Sequence, residues 1–130
     1  MLPWDEIEYN APLILTSEVI RVQSTELKDF VVDKIEDLKA KNIVVLDVKK
    51  QSTITDTMVI CTGTSKTHVR SIGEHLVVEA KKAGMQPLGV EGRDSSEWVL
   101  VDLGEVIVHV MQEQTREYYD LEKLWANPNA

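Results

Sequence analysis

Five valines constrain this chain more than any other feature. They are Val99, Val101, Val106, Val108 and Val110, within Trp98-Val99-Leu100-Val101-Asp102-Leu103-Gly104-Glu105-Val106-Ile107-Val108-His109-Val110-Met111. Strand side chains alternate between faces, so an every-second-residue valine pattern describes two strands with one apolar face. Leu103-Gly104 reads as the two-residue turn between them. In that register Asp102 faces Glu105, Val101 faces Val106, Leu100 faces Ile107, Val99 faces Val108 and Trp98 faces His109. Opposed residues share a face. The valines therefore form one face, and Trp98, Leu100, Asp102, Ile107, His109 and Met111 form the other. The valine face is core. The second face mixes apolar bulk with polar tips, and two readings of it stay open. It is a binding surface, since Trp and Met are enriched at interfaces, or the C-terminal helix covers it and Trp98 is ordinary core.

The rest of the chain supplies partners for this hairpin. Leu27, Phe30, Val31, Ile35 and Leu38 recur at helical spacing, with Ser24 or Thr25 as N-cap and Asn42 as left-handed C-cap. Ile43 to Val48 reads as a mostly buried strand and Ile54 to Thr62 as a second. Ser65 can cap a helix whose stripe is Val69, Ile72, Leu76, Ala80 and Ala83, ended by Gly84. Met85 to Glu91 reads as a third strand, and Gln112 to Trp125 as one final helix. The order α-β-β-α-β-β-β-α predicts an α+β fold, an α/β sandwich with a mixed five-stranded sheet and flanking helices. Residues 1–21 carry two of the four prolines and no sustained period, so they read as an irregular lead. The domain is expected over 22–126, with 127–130 as a tail.

The 130 residues suit one domain. No stretch approaches the roughly 20 apolar residues of a membrane span, and no cationic start leads into an apolar run, so the chain reads as cytoplasmic. Cys61 is the one cysteine, which excludes an internal disulfide. A net charge of −8, with Lys49-Lys50 and Lys81-Lys82 as the only basic pairs, argues against direct contact with nucleic acid. It suits a basic protein partner, or solubility alone.

Catalytic constellations are weak. Gly63-Thr64-Ser65 between a strand and a helix could hold phosphate on its N–H groups. Phosphate-loop spacing is absent, and so is the pair of strand carboxylates a nucleotidyl-transfer enzyme needs for magnesium. A helix N-cap is the plainer reading. His68 and His75 lie two helical turns apart, about 10 Å, too far to share a metal ion. Cys61 reads as a small core residue. Asp56, within an apolar-leaning run, is open between a loop cap, an ion pair and a partner contact. No catalytic residue, cofactor or metal is expected.

Several segments together resemble the ribosomal silencing factor family (RsfS, Iojap-related). They are Leu27-Lys28-Asp29-Phe30-Val31, Leu46-Asp47-Val48, Ser52-Thr53-Ile54-Thr55-Asp56, Ile60 to Ser65, Pro87 to Gly92, Trp98 to Gly104, Val108 to Met111, Tyr119 and Leu121 to Trp125. The match rests on their order and spacing from about Val22 to Trp125. The resemblance implies a non-enzymatic factor with a nucleotidyltransferase-like fold, a homodimer when free. It implies binding to ribosomal protein L-fourteen (uL-fourteen) on the large subunit, a block to small-subunit joining, and repression of translation when nutrients are short. It places the partner surface around Trp98. Leu100, His109 and Met111 are expected to pack beside that anchor, and Asp94, Asp102 or Glu113 to meet basic groups. An adaptor for another basic protein and a diverged nucleotidyltransferase are the alternatives. Residues 1–21 depart from the family, so Val22 is either a native start from a GUG codon or the lead is a genuine flexible extension.

Overall fold

A computed structural model describes residues 25–126. The irregular lead, the Ser24 cap, the possible start at Val22 and the 127–130 tail lie outside the described residues. Helix α1 (Thr25–Asp37) buries Leu27, Val31 and Ile35, the four-residue rhythm expected of one face. Its end differs from expectation. Ala40 N–H donates to the Ile35 carbonyl and Lys39 N–H to Glu36, a Schellman pair with Lys39 left-handed at φ 61°. Asn42 is also left-handed, at φ 50°, but it sits inside strand β1 (Lys41–Asp47), where the register slips between Lys41 and Val44.

β1 is an edge strand with exposed and half-buried residues, not the mostly buried strand its β-branched run suggested. β2 (Thr57–Gly63) starts three residues later than expected. The Ser52 hydroxyl accepts the N–H groups of Ile54 and Thr55, drawing that backbone into a turn and leaving Ile54 77% exposed. Helix α2 (Lys66–Lys82) buries Val69, Ile72, Leu76, Val77 and Ala80, and closes on Gly84 at φ 87°. β3 is only Gly89–Glu91. Met85 N–H is taken by the end of α2 at the Ala80 carbonyl, and Pro87 has no N–H to offer a ladder.

β4 (Trp98–Asp102) and β5 (Val106–Gln112) are the expected hairpin, two residues out of the expected register. Trp98 pairs with Met111, Val99 with Val110, Leu100 with His109, Val101 with Val108 and Asp102 with Ile107. The turn is Gly104-Glu105 rather than Leu103-Gly104: Leu103 N–H reaches the Val106 carbonyl at 2.9 Å, and Gly104 takes φ 90°. Glycine first in the turn gives the chain the positive φ a hairpin wants there. A slip of two keeps every side chain on its face, so the facial assignment survives the register error.

The sheet order is β1-β2-β5-β4-β3, with β2 and β5 parallel and the other neighbours antiparallel. α1 and α2 cover the valine face, where Val99, Val101, Val106, Val108 and Val110 are fully buried with Val59 and Cys61. The expected single last helix is two, α3 (Glu113–Tyr119) and α4 (Leu121–Ala126), because Asp120 is left-handed at φ 48°, ψ 51°. The chain turns there and brings Leu121 and Trp125 over the second face, onto Val48, Met58, Ile60 and Met111. Among the described residues no helix is long and apolar enough to cross a membrane.

Candidate functional site

Strand alternation and the observed register assemble the second face. Trp98, Leu100 and Asp102 come from β4, and Ile107, His109 and Met111 from β5. α4 covers the side toward β1 and β2, while Leu100, Asp102 and Ile107 stand outside that packed cluster and stay half-buried. Both readings of this face are thus partly realised: it is partly roofed, and Trp98 lies at the margin of the roof, half-buried.

Trp98 is held from two sides. Its indole N–H donates to His109 Nδ1 at 2.9 Å, a diagonal contact, since the residue directly opposite is Met111. The Tyr119 ring lies against it with centroids 4.8 Å apart and planes inclined at 50°. Tyr118 in turn meets Tyr119 edge-on at 5.0 Å, and both tyrosines are exposed. An indole nitrogen can only donate, so Nδ1 must be the bare nitrogen and Nε2 must carry the imidazole proton. Burial pushes His109 from 6.5 down to about 4, which keeps the ring neutral at pH 7. His109 Nε2 is buried and has no hydrogen-bond partner among the described residues.

The other expected contact residues divide by accessibility. Met111 is fully buried and His109 is 5% exposed, so both stand behind Trp98 rather than beside it on the surface. Leu100 is half-buried on the open part of the face. Asp102 Oδ1 accepts the Gly104 N–H at 2.8 Å, which gives that carboxylate a task in the hairpin turn. Asp94 is exposed in the loop after β3, and Glu113 is exposed at the start of α3. Gly92 holds that loop against Trp98. A Cβ there would lie 1.9 Å from the Trp98 carbonyl oxygen, and φ is 86°. Tyr119 was not singled out as a contact residue in the sequence. A tyrosine near a helix end carries no local signal of what it meets, and only the path of α3 from the end of β5 lays Tyr119 against Trp98.

The remaining chemistry-bearing groups are used structurally. Ser65 Oγ accepts the His68 N–H at 3.0 Å and caps α2. Gly63 lets β2 pass close under the helix, since a Cβ would sit 2.6 Å from Val69 Cγ2. Thr64 N–H donates to His68 Nδ1, and His68 Nε2 donates to the Leu38 carbonyl at 2.7 Å. His75 meets Asp37 at 2.9 Å. Burial pushes the Cys61 thiol up to about 12, with Arg116 opposing, so no thiolate forms near neutral pH. Asp56 ties the β1–β2 loop through its backbone, accepting from Val48 and donating to Glu105. At the carboxyl ends of β2 and β5 lies an open cleft of about 910 Å³, whose lining includes Gly63, Thr64, Glu97, Glu113 and Tyr119. Among the described residues no group of three or more His, Cys, Asp or Glu is placed to hold a metal ion.

Known proteins resemble this chain in sequence and in fold. A family model described as "Ribosomal silencing factor during starvation" matches residues 21–130. The ribosomal silencing factor RsfS of Haemophilus influenzae is 48% identical over 100 residues, covering 77% of this chain and 98% of that protein. A mouse protein named "Mitochondrial assembly of ribosomal large subunit protein 1" is 37% identical over 100 residues, covering 75% of this chain and 44% of its own length. A crystal structure of a Chromobacterium violaceum protein superposes with a TM-score of 0.78 at 39% identity, covering 80% of this chain and 87% of that one.

Proposed function

The chain belongs to the ribosomal silencing factor family, and from that premise we propose that it is a non-enzymatic factor that binds the large ribosomal subunit. It docks on ribosomal protein L-fourteen, sterically blocks joining of the small subunit, and so represses translation when nutrients are limiting. Free in the cytoplasm it pairs as a homodimer.

The observation that carries this reading is the family match, which spans residues 21–130 rather than one motif. The half-buried Trp98, ringed by Leu100 and Tyr119 on a partly open sheet face, supplies a physical anchor. A half-exposed aromatic on a rigid strand loses little entropy on docking and desolvates a large apolar area. The net charge of −8 complements a basic partner protein.

Co-sedimentation with purified large subunits tests this, with the wild type beside Trp98→Ala. Truncating a central aromatic anchor costs about 2–4 kcal/mol, roughly thirty- to a thousandfold in affinity. The wild type is expected to pellet with large subunits and to slow subunit joining followed by light scattering. Folded Trp98→Ala is expected to do neither. Wild-type binding that survives the substitution would move the site elsewhere. No binding by the wild type would favour an adaptor for another basic protein.

A further inference from the structure

We propose that His109 is the positioning residue of the docking face, holding the Trp98 indole in its binding orientation through Nδ1. The inference rests on the reading of Trp98 as the anchor and adds how that anchor is set. The polar atom of Trp98 is not offered to a partner, because its N–H is turned inward to His109 at 2.9 Å. What remains for a partner is ring carbon. His109 fixes the rotation of the indole within its plane, while Tyr119, 4.8 Å away, bounds one face. An anchor already locked in its rotamer binds more tightly because less side-chain freedom is lost on docking.

The other ring nitrogen shows that stability alone does not account for a histidine here. Nε2 carries the proton, is buried, and meets no acceptor among the described residues. A leucine would fill the same half of the face, among Ile60, Leu100 and Met111, removing that buried orphan and leaving the N–H of half-buried Trp98 to turn toward water. The imidazole is the more costly choice for folding, and its one satisfied atom is the one that touches Trp98.

The two roles separate in a pair of variants. Asparagine at 109 puts Oδ1 where Nδ1 stands, so His109→Asn keeps an acceptor for the indole but packs worse. His109→Leu packs well and has no acceptor. His109→Leu is expected to unfold at the same or a higher denaturant midpoint than wild type and to bind large subunits roughly tenfold more weakly, the scale of one side chain left to be immobilised. His109→Asn is expected to unfold earlier yet bind within about threefold of wild type, by the same reckoning. Binding by His109→Leu at wild-type strength would overturn the inference. So would losses of binding that simply follow losses of stability. Imidazole nitrogen NMR of the wild-type protein tests the geometry without any variant: a protonated Nδ1 would overturn it, and a proton on Nε2 with a slowly exchanging Trp98 indole N–H supports it. Failure of the wild type itself to bind large subunits would overturn the ribosomal reading instead, leaving the indole–imidazole geometry to that spectrum.

Discussion

Two glycines beside the proposed docking face differ in what surrounds them, and the difference is testable. Gly92 and Gly104 both hold positive φ, 86° and 90°. An added Cβ at Gly104 meets only Leu88 Cδ1, at an ordinary 3.7 Å, whereas at Gly92 it meets the Trp98 carbonyl at 1.9 Å. Gly104→Ala should therefore cost only the left-handed backbone, about 1–2 kcal/mol. Gly92→Ala should cost more than that, because backbone must move, and it should weaken subunit binding by displacing Trp98. Urea unfolding of both variants beside a binding assay checks the order. His109 makes a second prediction at this scale. Unfolded, its imidazole takes a proton near 6.5; folded, only near 4. Between those values the unfolded chain binds more protons, so stability falls as the pH drops from 6.5 toward 4, and above 6.5 the term vanishes. The loss approaches about 3 kcal/mol. His109→Leu should remove that part of the pH dependence in unfolding curves at pH 7 and 4.5.

At the scale of elements, the C-terminal pair of helices decides how much of the second face is roofed. α3 is short and buries no residue fully, so it depends on side-chain ties. Arg116 supplies them: Nη1 donates to Thr62 Oγ1 at 2.7 Å on β2, and Nε donates to Glu122 Oε1 at 2.6 Å on α4. Arg116→Ala should destabilise the chain by about 1.5–3 kcal/mol, the range for hydrogen bonds to charged groups. It should also raise amide hydrogen exchange selectively in 113–126, leaving the β2–β5 core protected. Uniform loss of protection would mean that α3 and α4 unfold only with the whole domain. This region was also the least legible in sequence. Helical propensity runs through Gln112 to Trp125 without a glycine or proline to mark a break, and the left-handed turn at Asp120 is one that lets Leu121 and Trp125 gain burial by turning back. The shortened β3 and the late start of β2 have local causes that were present in the sequence, Pro87 and the Ser52 hydroxyl.

For the whole molecule, charge and anchor should separate kinetically. A net charge of −8 acts at long range and is screened by salt, whereas Trp98 acts only in contact. Raising salt from about 50 to about 300 mM should slow association with large subunits, since the screening length shrinks below about 10 Å. Trp98→Ala should chiefly speed dissociation. Stopped-flow association and chase measurements distinguish them, and a dissociation rate that rose with salt as steeply as it rises in the variant would contradict this division.

The sequence by itself determined which face each residue of the β4–β5 hairpin takes, the two core helices and their stripes, and the presence of a mixed apolar face bearing Trp98. Those follow from side-chain periods of two and about 3.6, which are local properties. Tertiary structure alone decided the hairpin register, the edge position of β1, the fold-back at Asp120, the diagonal rather than direct contact of Trp98 with His109, and the meeting of Trp98 with Tyr119. A strand slipped by two residues presents the same pattern on the same face, so the alternation that revealed the surface could not say which neighbours its anchor would have. That choice was made by which two residues could take the turn and by what the C-terminal helices could bury.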